Sequence, residues 1–117
     1  MTEKTSHHHG NLRDALVDAG LAILSERGFD ALTLRKAAAR AGVSHAAPAH
    51  HFDGKEGLMV AIAARGFDTF TRCMQEDRYL RGRGPWAQLV GISLGYLRFA
   101  EQHEPLFRLI FDRQYKN

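Results

Sequence analysis

Apolar residues recur along this chain at the spacing of helices. Leu12, Leu16, Ala19 and Ile23 fall at i, i+4, i+7 and i+11, which places them on one face of a first helix. Val17, Leu21 and Leu24 widen that stripe, as in a helix packed on two sides. Gly28 follows Glu26-Arg27 and predicts a left-handed helix end, with Phe29 folding back onto it. A short second helix is expected after Thr33, whose hydroxyl can accept from the free N–H groups of the first turn. It carries Leu34, Ala37, Ala38 and Ala41 and stops at Gly42, after which Val43 enters the core. Ser44 is placed to cap a third helix. That helix is brief, because Pro48 weakens it and the Phe52-Asp53-Gly54 turn ends it. A longer fourth helix runs from about Lys55 to Met74 or beyond and carries Leu58, Ile62, Phe67 and Phe70. The glycine-rich basic stretch 80–84 separates it from a fifth helix that opens at Pro85 and carries Leu89, Ile92, Tyr96 and Phe99. Pro105 opens a sixth. No segment alternates as a strand does and no internal repeat is present, so the fold class is all-α.

Composition narrows the class without naming a function. Of 117 residues, 44% are apolar and 25% charged, the balance of an ordinary globular protein. No apolar run approaches the roughly 18–20 residues of a membrane span. The polar first ten residues lack the apolar stretch of a secretory signal. Cys73 is the only cysteine, which excludes an intrachain disulfide and a cysteine-based zinc site. A cytosolic protein is expected. The net charge of +3 mildly favours an anionic partner. Its distribution says less: residues 1–60 hold seven Lys/Arg against seven Asp/Glu, and the excess lies in residues 61–117. Bulk charge does not establish nucleic-acid binding, so position has to.

Position points to the segment from Thr33 to Lys55. A helix that lies in the major groove must be braced by a shorter helix crossing close to it. Close crossing calls for small side chains and a glycine at the turn. Ala37, Ala38, Ala41 and Gly42 supply them, and Ser44-His45-Ala46-Ala47 then presents a helix N-terminus able to reach phosphates and base edges.

Residues 10 to about 62 resemble the N-terminal domain of the TetR family of bacterial transcriptional regulators. Four pieces carry the resemblance in order: Ala-Gly-Leu-Ala-Ile-Leu-Ser-Glu-Arg-Gly-Phe-Asp (19–30), Leu-Thr-Leu-Arg-Lys (32–36), Ala-Arg-Ala-Gly-Val-Ser (39–44) and His-Phe-x-x-Lys-Glu-x-Leu (51–58). The stretch from Gly95 to Phe111 resembles the start of the ligand-binding domain in one branch of that family. The resemblance implies a three-helix helix-turn-helix domain joined by a long helix to an incomplete helical ligand-binding and dimerisation domain. Its parts would be an N-terminal arm (1–9), the DNA-binding domain (10–54), a connecting helix (55–79) and the start of the C-terminal domain (80–117). It further implies a regulator, most often a repressor, that dimerises on a palindromic duplex operator and is released by a small-molecule inducer. Residue by residue, Thr33 would cap the second helix and touch a phosphate, and Arg35, beside Lys36, would point into the groove. Ser44, His45, Ala46 and Ala47 would line the recognition face, and His51 and Lys55 would hold the backbone. One departure stands out. Relatives usually carry an aromatic residue, most often Tyr, at the position of Ala49, and His50 can replace its phosphate contact only in part.

Competing chemistry is sparse. Phe67, Phe70, Tyr96, Phe99 and Phe107 are candidates to line an inducer pocket, although aromatics at helical spacing also simply build cores. Adjacent His50 and His51 point apart on a helix and have no partner at i+4, so neither a metal site with His7–His9 nor any cofactor is expected. The His7–His9 run reads as a native arm near the DNA backbone. Cys73 reads as a buried small hydrophobe, and Glu101, His103 and Glu104 as a charge cluster at a helix end. No nucleophilic triad or phosphate-cradling loop appears, so no enzyme is expected. The alternative is a helical ligand-binding or interaction module with weakened DNA binding.

Overall fold

The computed structural model describes the backbone of residues 2–80 and 82–111, with side chains for residues 11–76 and 82–111. Five α-helices make up these residues: α1 (Thr2–Arg27), α2 (Leu34–Ala41), α3 (Gly54–Leu80), α4 (Pro85–Gln102) and α5 (Glu104–Phe111). Short 3-10 turns at Phe29–Ala31 and Ala47–His50 link the first three. The chain divides into two compact units, Met1–Ile62 and Ala63–Asn117. No described helix is long and apolar enough to cross a membrane.

The first unit closes around the stripe expected on α1. Leu16, Val17, Ala19, Ile23 and Leu24 are buried together with Leu32, Ala37, Ala38, Phe52, Leu58, Ala61 and Ile62. Ala37 and Ala38 of α2 are fully buried, which lets that helix lie close against α1, while Ala41 is half-buried and Ala39 exposed. Helix α1 begins at Thr2, ahead of the apolar stripe. Residues 2–10 contain no apolar side chain, so hydrophobic periodicity has nothing to register there. The side chains of His7–His9 lie outside the described residues, as do Arg81 and residues 112–117.

Three local expectations need correction. Gly28 has positive φ (88°) but an extended ψ of 179°, so α1 does not end in a left-handed cap. Val43 is half-buried rather than a core residue. The third helix does not form as an α-helix. An α-helix capped by Ser44 needs its fifth residue to donate to the Ser44 carbonyl, and that residue is Pro48, which has no N–H. Ala47, restricted by the following proline, donates to the Ser44 carbonyl instead (3.0 Å), and Ala47–His50 winds as a 3-10 turn.

The second unit is built from the later part of α3 with α4 and α5. Its core holds Cys73, Phe99, Leu106, Leu109 and Ile110. Pro85 occupies the first turn of α4 and Pro105 the first turn of α5, where the missing N–H is harmless. Helix α4 buries Gly91, Gly95 and Phe99 and exposes Trp86, Leu89, Tyr96 and Leu97. Of the apolar residues that mark this helix in the sequence, Leu89, Ile92 and Tyr96 are exposed and Phe99 is buried.

Candidate nucleic-acid interface

Helix α2 is held at both ends by its own sequence. Thr33 is extended (φ −138°, ψ 158°), and its Oγ1 accepts from the Lys36 N–H at 3.0 Å. At the far end Gly42 adopts the left-handed conformation (φ 73°, ψ 30°), open to glycine at no steric cost. The Gly42 N–H donates to Ala39 (3.2 Å) and the Val43 N–H to Ala38 (3.0 Å), the paired bonds of a Schellman stop. With Ala37 and Ala38 turned inward, Arg35 and Lys36 stand exposed on the opposite side.

The chain then turns sharply. Ser44 Oγ accepts from the Ala46 N–H at 3.1 Å, closing the turn ahead of the 3-10 segment. Pro48 is buried and Ala47 half-buried, while Ser44, His45, Ala46, Ala49, His50 and His51 are exposed. Pro48 also anchors the exit, where its carbonyl accepts from His51 (3.0 Å) and Phe52 (2.9 Å). Phe52 is buried, with the Arg13 guanidinium 5.4 Å from its ring centroid and the His51 ring 6.3 Å away. Of the expected recognition residues, Ser44, His45 and Ala46 lie exposed in a turn and His50 in the 3-10 segment that follows, forming one short exposed ridge, while Ala47 is half-buried. Ala49 stands on that ridge without an aromatic side chain.

Two basic residues are committed to the fold. Lys55 Nζ donates to the Phe29 carbonyl at 3.1 Å and sits 4.3 Å from the Phe29 ring centroid, tying the start of α3 to the turn after α1. Its stem is half-buried. Lys55, expected to hold the DNA backbone, has this internal role first. Lys55→Met keeps the stem but removes the hydrogen bond and the cation–π contact, so stability should fall by about 1–2 kcal/mol without any DNA present. An unchanged urea midpoint would return Lys55 to the list of purely surface cations. Arg40 makes a two-pronged pair with Glu26 (2.8 and 2.5 Å) that joins α2 to α1. The Arg40 hydrogen bond holds the Glu26 carboxyl below its ordinary value of 4.5. The pair therefore stabilises the folded state above that pH and weakens as pH falls through the lowered value. Both side chains are solvent-exposed, which keeps the contribution small. Neither tie leaves a signal in the sequence, because the partners lie 26 and 14 residues apart.

In the second unit, four of the five aromatic candidates pack on one another. Phe70 lies 5.0 Å from Phe99 and 5.5 Å from Tyr96, and Phe107 lies 5.9 Å from Tyr96. Phe111 joins at 5.0 Å from Phe107, and His103 stacks on Phe99 at 5.7 Å. Phe99 is fully buried, whereas Phe67 is half exposed. Tyr96 also opens on a shallow groove with Met74, Ile92, Ser93 and Leu97. Cys73 is buried, and Glu104 pairs with Arg108 one turn later on α5.

Residues 16–62 match the family model described as bacterial regulatory proteins, tetR family. The HTH-type transcriptional repressor KstR of Mycolicibacterium smegmatis is 32% identical over 94 residues, covering 80% of this chain and 45% of that protein. A solved structure of a Rhodococcus sp. RHA1 protein of unknown function superposes with a TM-score of 0.79 at 33% identity, over 92% of this chain and 56% of that one. A TetR family transcription regulator from Marinobacter aquaeolei VT8 shares the fold, with a TM-score of 0.73 at 22% identity over 94% of this chain and 57% of that one. The chain spans about half the length of these three proteins.

Proposed function

The chain belongs to the TetR family of bacterial regulatory proteins, and from that membership we propose that it regulates transcription by binding a palindromic duplex operator as a homodimer. The observation that carries this reading is the run from Thr33 to His51. A capped, glycine-stopped helix is followed at once by an exposed polar ridge seated on the core through Pro48 and Phe52. Small side chains on that ridge let the backbone approach the duplex, and Ser44, His45, His50 and Thr33 supply polar contacts. Arg35 is the base reader, because an exposed guanidinium can pair with both acceptors of a guanine edge. Repression is the expected mode, as the KstR name states for that relative. A small-molecule inducer releases the DNA through the second unit, where Tyr96 belongs both to the aromatic cluster and to the open groove.

The test is a binding titration on the intergenic DNA flanking the gene, set against a random duplex of equal length. Tighter binding to the flanking DNA is expected, with log affinity falling steeply against log salt. Equal affinity for the two duplexes would leave a helical interaction module in place of a regulator. Arg35→Ala should weaken the preferred site by about 1–3 kcal/mol and relax preference at one base position. A uniform loss across all sequences would mean that Arg35 meets phosphate only.

A further inference from the structure

From Ala41 to Gly54 the chain carries no lysine or arginine, so a permanently charged contact at the ridge has to come from another element. Helix α1 brings one there. The Arg13 guanidinium lies 5.4 Å from the centroid of the buried Phe52 ring. Phe52 is fastened in turn to the ridge, because its N–H and that of His51 both donate to the Pro48 carbonyl (2.9 and 3.0 Å). The His51 ring sits 6.3 Å from the same Phe52 ring. Two exposed donors, one from α1 and one from the ridge exit, thus share one aromatic support. Arg40 and Lys55 are engaged with Glu26 and Phe29, whereas Arg13 makes no ion pair among the described residues. Its neighbours one turn away on α1 (His9, Gly10, Leu16 and Val17) include no acid, and Asp14 already has a partner of its own. An aromatic ring holds a guanidinium through its π face and leaves N–H donors at the edge of the plane for an anion. A side chain held in this way has given up rotamer freedom before any phosphate arrives, so the contact costs less ordering.

We propose that Arg13 is a phosphate-binding residue of the DNA interface, held beside His51 by the Phe52 ring so that a backbone phosphate meets a fixed guanidinium at the ridge exit. The proposal rests on the DNA-binding reading above and adds to it a contact from α1. A guanidinium donates to phosphate through charge-assisted hydrogen bonds, frequently two in parallel. Because phosphate contacts carry no base information, Arg13 contributes to every duplex alike, unlike Arg35.

The experiment is a fluorescence-anisotropy titration of the full chain with a random-sequence duplex over a range of salt, alongside R13M, R13K and R108M. R13M keeps an unbranched stem over Phe52 and removes the charge. It should weaken binding about three- to tenfold and make the plot of log affinity against log salt shallower by about 0.9, the loss of one neutralised phosphate. R13K restores a charge without a planar fork of donors, so it should recover the slope and only part of the affinity. R108M, altered in the other unit, should keep both. Melting curves report the folded state of each variant. A purely structural Arg13 would lower the melting temperature of R13M and leave the salt slope of the folded protein as it was, which would overturn the proposal. A loss of slope in R108M as large as that in R13M would overturn it too, since any cation of the chain would then serve. Equal affinity of the unaltered chain for flanking and random DNA would remove the regulator reading alone, because the Arg13 contact is read on random duplex. No binding to either duplex would remove both.

Discussion

Gly95→Ala is expected to destabilise the second unit by about 3 kcal/mol or more, the upper end of the usual cost of overpacking. A Cβ at position 95 would lie 2.5 Å from the Met74 Cα, 2.6 Å from the Cys73 carbonyl oxygen and 2.8 Å from the Met74 nitrogen. All three are backbone atoms, so no side-chain rotation relieves the clash. Helix α4 has to lift away from α3, and a close-packed interior does not absorb such a shift locally. Phe99 sits one turn further along α4 and is fully buried, so the lift also loosens its contact with Phe70. The melting temperature should drop by roughly 10–20 °C, with the loss of amide protection concentrated in α4 and the adjoining turns of α3. A melting point within a few degrees of the unaltered protein would show that the two helices do not cross this closely.

Leu58→Ala should cost the first unit about 2–5 kcal/mol, the range for emptying a well-packed leucine site. Leu58 is fully buried, and with Ile62 it fills the space over Gly20 in the C-terminal part of α1. That core carries Phe52 and Pro48, and through them the ridge proposed to meet DNA. The variant should therefore lose amide protection along α1 and α2, and lose DNA affinity at temperatures where the unit begins to open. Leu97→Ala provides the contrast: its side chain is exposed, and the change should stay within about 0.5 kcal/mol. Similar urea midpoints for the two variants would mean that Leu58 is not where this core is held.

Signals that act within one turn of chain were legible without coordinates. The Thr33 cap, the stop at Gly42, the prolines opening α4 and α5 and the buried stripe of α1 each depend on residues no more than four apart. The segment after Ser44 shows where such reading reaches its limit. In the sequence Pro48 marks a weakened third helix, yet the same residue both denies the α-helical bond and packs into the core. The outcome, a 3-10 turn, is a balance that local propensity alone does not weigh.

Neighbouring residues alone specify an all-helical chain with a capped helix, a glycine turn and a polar segment in the order a helix-turn-helix needs. Its local hydrogen bonds and apolar periodicity are written in neighbouring residues. Long-range partners come from the packing of whole helices. That packing commits Lys55 to Phe29 and Arg40 to Glu26, places Arg13 over Phe52, closes α4 on α3 at Gly95 and leaves Leu89 and Ile92 exposed. The reason is physical. A side chain's partner across the fold depends on how whole helices cross, and that crossing is set by many small contacts summed over the core.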